Sequence, residues 1–114
     1  MDNLPYNIRN SINKFVKESK KILGDRVKKI ILYGSYARGD FNSSSDIDIL
    51  VLTDYKPREF YSALKMISSM TYDIELDNNV ILVPLINNIT NYNLGIEDIP
   101  FYANIQKEGV VLSE

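Results

Sequence analysis

Residues 34–51 read Gly34-Ser35-Tyr36-Ala37-Arg38-Gly39-Asp40-Phe41-Asn42-Ser43-Ser44-Ser45-Asp46-Ile47-Asp48-Ile49-Leu50-Val51. Everything else in the chain is arranged around this stretch. Just upstream, Ile30, Ile31 and Leu32 form a short apolar run that stops at Gly34, the pattern of a strand buried on both faces. At the far end, the β-branched run from Asp46 to Leu52 predicts a second strand. Asp46 and Asp48 alternate along that strand, so both carboxylates leave the same face. Two like charges beside apolar neighbours disfavour each other's ionisation, and partial burial adds to the cost. A divalent cation, Mg²⁺ or Mn²⁺, would relieve both, with water and phosphate oxygens completing its shell. An edge strand that turns its aspartates to water is the alternative reading. Gly34 and Ser35 follow a buried strand and precede a segment able to form a helical turn. Glycine allows close approach to the backbone, and the first free amides of a turn attract anions. The Ser35 hydroxyl can donate to a phosphate oxygen, and Arg38 can add a charge-assisted contact.

Outward from this core, Ile8, Ile12, Phe15, Val16, Ser19, Ile22 and Leu23 recur at helical spacing, with Gly24 as the terminator. A second long helix is expected from Pro57, on the stripe Phe60, Ala63, Leu64, Ile67, Met70, Thr71 and Ile74, until Asn78-Asn79 breaks it. Val80–Ile86 reads as a third strand, which Pro84 restricts to a sheet edge or a bulge. A polar loop from Asn87 to Asn93, a short helix from Pro100 to Gly109 and a last strand over Val110–Leu112 complete the reading. The expected fold class is α/β (α+β): one domain over residues 1–114, a mixed sheet of three to four strands packed with helices. Tyr33, Tyr61 and Phe101 are expected in the core, whereas Tyr36, inside the motif, is set apart as a candidate lining of the ligand pocket.

Composition narrows the chemistry. With no Cys and no His, there is no disulfide scaffold, no thiolate or imidazole ligand and no Ser-His pair. Thirteen basic against fifteen acidic residues leave a net charge of −2, too balanced for a strong nucleic-acid signal. No window approaches the roughly 20 apolar residues of a membrane span. The charged residues 1–15 do not resemble a signal peptide, so a cytoplasmic location is the expectation.

The motif resembles that of the nucleotidyltransferase superfamily related to DNA polymerase β, and most closely its stand-alone minimal members. The shared pattern is Gly34-Ser35, Arg38-Gly39 and Ser45-Asp46-Ile47-Asp48, followed by the apolar Ile49-Leu50-Val51. The resemblance implies the polymerase β-like nucleotidyltransferase fold. It implies that Gly34 and Ser35 hold the β- and γ-phosphates of a nucleoside triphosphate, with Arg38 as a further nucleotide-binding candidate. It makes Asp46 and Asp48 both the catalytic and the metal-binding residues, and Mg²⁺ (or Mn²⁺) the cofactor. The implied reaction moves a nucleoside monophosphate, from ATP by expectation, to an acceptor hydroxyl on a protein partner. A small all-helical partner of the HEPN type is implied too, since many minimal members serve as antitoxins that nucleotidylate or mask a ribonuclease toxin. The alternative is a weakly active or inactive antitoxin that acts by binding such a partner; self-association into a homo-oligomer stays open. The family commonly adds a third carboxylate on a neighbouring strand. The third strand here has none, and Asp73 or Glu75 is the nearest candidate. Alternating with Ile74 and Leu76, these acids could form a strand, but Ile74 continues the helical stripe from Phe60 in phase, and on that favoured reading they are surface charges at a helix end.

Overall fold

The structure, a computed structural model, describes all residues from 1 to 114. It begins with α1 (Tyr6–Leu23), whose apolar stripe buries Ile8, Ile12, Phe15 and Leu23. The helix ends at Gly24, whose φ of 62° releases the chain, through a short 3-10 turn, into β1 (Val27–Tyr33). A single turn of helix, α2 (Ser35–Arg38), and the loop 39–46 lead to β2 (Ile47–Thr53). Pro57 opens a 3-10 turn that runs into α3 (Phe60–Asn78), and Asn79 stops that helix in the left-handed region at φ 54°. Then follow β3 (Leu82–Asn88), α4 (Ile89–Gly95), α5 (Pro100–Glu108) and β4 (Val110–Ser113).

The four strands lie in the order β3-β2-β1-β4. β1 is antiparallel to β2 and β4, while β2 and β3 run parallel, joined by the α3 crossover. Pro84, which has no N–H for a ladder, sits on the edge strand as expected. Strand alternation sorts the side chains into two layers. Ile30, Leu32, Ile47, Ile49, Val51, Leu82 and Ile86 pack with α1 and α3 in the larger core. Ile31, Leu50 and Leu52 face the other way, against Tyr92 of α4 and Ile105 of α5. No helix is long and apolar enough to cross a membrane.

Three expectations need correction. The segment Asn87–Asn93 is not a loop: the strand continues through Asn88, and α4 follows at once. The Asn88 side chain accepts from the Asn91 amide at 3.0 Å, so the asparagines start a helix. Tyr61, at 72% exposed, lies outside the core because α3 buries Ala63, Ile67 and Ile74. Phe101 is also exposed and meets Tyr33 edge-on, with ring centroids 5.7 Å apart.

Candidate nucleotide and metal site

β1 ends against β2 with Tyr33 paired to Asp48, so the Gly34 turn sits directly over the Asp48 side chain. Gly34 has φ 78° and ψ −158°, a region open essentially to glycine alone. Its missing side chain matters twice over. A Cβ there would collide with the Asp48 carboxylate, its Cγ lying only 3.2 Å away. The Gly34 carbonyl accepts from the Ala37 and Arg38 amides, both at 3.1 Å. The amides of Ser35 and Tyr36 therefore precede the ladder of α2, as first-turn amides do.

Gly34, Ser35, Arg38 and Asp48 line one open cleft of about 450 Å³, with Phe101, Asn104 and Glu108 of α5 opposite. Asp46 lies one residue before β2, exposed at the rim rather than among the lining residues. It still acts electrostatically on the site. Burial, then the Asp46 charge, raises the Asp48 carboxyl above the ordinary carboxylate range, while Arg38 opposes the shift. Burial and Asp48 likewise raise Tyr33, and burial and Asp46 raise Tyr36.

Tyr36 is not a lining residue of this cleft. It is buried, stacks on Phe41 at 4.8 Å and donates to the Ser45 carbonyl at 3.4 Å, which braces the loop before Asp46. It borders instead a larger hollow of about 660 Å³ between that loop and the start of α1. None of the residues around that hollow, such as Asn7, Asn42, Ser44 and Asn79, is charged, whereas the smaller cleft is lined by Arg38, Asp48 and Glu108.

The donor set fits a hydrated divalent cation. The protein's ion pairs run through Asp40, Asp54, Glu59 and Glu108, which leaves Asp46 and Asp48 without a cationic partner. No three acidic side chains converge. Two carboxylates would leave most of an octahedral shell to water and phosphate oxygens, a common arrangement for Mg²⁺.

Neither candidate third carboxylate reaches the cleft. Asp73 borders a hollow shared with Lys14 and Glu18 of α1. The Glu75 carboxylate accepts from the Leu82 amide at 2.9 Å and ties the end of α3 to β3. The β3 residue paired with Asp48 is Val83, 40% exposed. Phe101 lines the cleft instead of the core expected for it, and sequence reasoning does not single out Asn104 or Glu108; the one available signal is a glutamate ending α5, where the helix dipole disfavours an anion.

The nucleotidyltransferase domain family matches residues 10–105. Two proteins of Methanocaldococcus jannaschii, both provisionally designated protein adenylyltransferases, are each 34% identical to the chain. One aligns over 108 residues, 93% of this chain and 98% of the relative. The other aligns over 93 residues, 75% of this chain and 94% of the relative. A crystal structure from Sulfolobus solfataricus, provisionally designated a nucleotidyltransferase, covers 98% of this chain and 91% of its own at 22% identity and a TM-score of 0.48. Because the family match runs from within α1 to within α5, most of the chain, the protein belongs to the nucleotidyltransferase domain family, a family of transferases.

Proposed function

We propose that this protein transfers AMP from ATP to a hydroxyl of a protein acceptor in the cytoplasm, with Mg²⁺ or Mn²⁺ as cofactor. The observation that carries this reading is the contact between the Gly34 turn and the Asp48 carboxylate. It sets anion-attracting amides beside a carboxylate without a cationic partner, as a metal-complexed polyphosphate requires. The relatives designated protein adenylyltransferases support the choice of adenylyl group and of a protein acceptor.

On this reading, Ser35 holds the β- and γ-phosphates through its amide and hydroxyl, and Arg38 lends a positive charge beside them. Asp46 and Asp48 would hold the cation, which supplies charge stabilisation at the transferring phosphoryl group. The acceptor oxygen bonds to the α-phosphorus as the bond to the bridging oxygen breaks. Pyrophosphate leaves, and the acceptor's proton passes to solvent. Positioning and electrostatics do most of the work.

A second reading has one observation in its favour. Val83 of the edge strand β3 and Ile81, one residue before that strand, are both exposed, and Val83 pairs with Asp48 where a third carboxylate would assist the acceptor. A protein with that edge could serve mainly by binding a helical HEPN-type toxin. Incubation with labelled ATP and Mg²⁺, with and without lysate from the source organism, separates the two. Label transferred by wild type and lost in Asp48→Asn supports catalysis. Tight co-purification with a small helical protein and no transfer supports the binding role.

A further inference from the structure

The cleft assigned to polyphosphate contains a carboxylate that the reaction does not use. Packing places it there. Ile105 of α5 is buried against Ile31 and Leu50, and Glu108 follows three residues later on the same side of the helix. Gly109 then seats the end of α5 tightly on β1, since a Cβ at that position would lie 2.6 Å from Ile31 Cγ2. Leu32 pairs with Val110 immediately afterwards. Glu108 is thus pinned opposite Gly34 and Ser35, at a helix end whose dipole disfavours an anion.

Its one polar partner is Arg38, with Nη1 to Oε2 at 3.4 Å. Arg38 does not depend on that contact for its orientation, because its Nε also donates to Asp40 at 3.2 Å. Asp40, 62% exposed in its side chain, lies outside the cleft lining. The lining therefore holds one cation, Arg38, against two anions, Asp48 and Glu108, with Asp46 at the rim. A bare triphosphate entering it meets repulsion and must take Arg38 away from Glu108. A triphosphate carrying its divalent cation brings compensating charge and presents about half the net negative charge to Glu108.

We propose that Glu108 is a specificity-determining residue that makes this cleft discriminate against metal-free polyphosphate, so that a nucleoside triphosphate enters as its divalent-metal complex. The inference rests on the nucleotide reading above. Its measure is the ratio of ATP dissociation constants in EDTA and in excess Mg²⁺, obtained by calorimetric titration of the intact chain. Removing one charge at this range should tighten metal-free ATP more than the Mg²⁺ complex, narrowing the ratio roughly three- to tenfold in Glu108→Gln. Glu108→Lys should narrow it further, and Glu108→Asp should keep it near the wild-type value. Asp40→Asn removes the same charge from the same arginine outside the cleft, and should leave the ratio within about twofold. A Glu108→Gln protein that binds metal-free ATP no tighter than wild type overturns the proposal. So does an Asp40→Asn effect of equal size, or a Glu108→Lys ratio that widens. Wild type that binds ATP in neither condition overturns the nucleotide reading itself, a separate result.

Discussion

Replacing Gly34 by alanine tests the site and the fold together. The φ 78°, ψ −158° backbone costs a non-glycine residue about 1–3 kcal/mol. The added Cβ would also displace the Asp48 carboxylate, and an off-rotamer aspartate costs a further ~1 kcal/mol. The sum is about 2–4 kcal/mol. For a domain near this size, each kcal/mol lowers Tm by about 4 °C, which predicts a fall of roughly 8–16 °C. Gly24 is the built-in control. Its backbone is similar, at φ 62° and ψ −140°, but a Cβ there meets nothing within 4 Å. Gly24→Ala should therefore carry the strain alone and retain any rise in Tm with ATP and Mg²⁺, whereas Gly34→Ala should lose that rise. Thermal melts of wild type and both variants, with and without ligand, decide the matter. If Gly34→Ala melts like Gly24→Ala and keeps the ligand shift, the Gly34–Asp48 contact does not make the site.

Asp48→Asn should remove the ATP–Mg²⁺ shift while leaving the metal-free protein as stable as wild type or more so at pH 7. Because burial and Asp46 raise the Asp48 carboxyl, its contribution to wild-type stability is full below the ordinary carboxylate pKa and is lost as pH rises through the folded value. The gap between variant and wild type should accordingly close in melts taken down towards pH ~4; a metal-free Asp48→Asn protein that is less stable at pH 7 would contradict this. Val83→Asp sets a third carboxylate beside Asp48 on the neighbouring strand. It should lower the metal-free Tm by like-charge repulsion and tighten Mn²⁺ about tenfold or more in calorimetric titration, and unchanged affinity would place the ion elsewhere. Phe15→Ala empties a fully buried position and should cost about 3–5 kcal/mol in urea unfolding, a large share of a typical domain's stability.

Several features were legible along the chain because they are written in local chemistry. The apolar run before Gly34, the stripes of α1 and α3, the Pro100 start of α5 and the edge position of Pro84 depend on residues within a turn or two of each other. The Gly34-Ser35 and Asp46-Ile47-Asp48 pattern is local in the same way, but the strand takes up only Asp48 and leaves Asp46 one residue before β2, so alternation does not by itself place both carboxylates. The asparagines around 87–93 misled for a local reason as well: Asn favours both turns and helix caps, and only the Asn88–Asn91 contact selects the cap.

By itself, the sequence determined the two long helices, most of the strands, the turn that only glycine can make and the residue types available for chemistry, but not α4. The tertiary structure alone decided which of them meet. Asp73 and Glu75 carry carboxylates as Asp46 and Asp48 do, yet the crossover through α3 carries them away from the cleft. Glu108, 70 positions from Arg38, reaches it because Ile105 is buried on β1 and β2 and Gly109 lets α5 close on the sheet. Backbone geometry sets periodicity over a few residues, but contacts across such distances are chosen by burying apolar faces, a property of the whole chain at once.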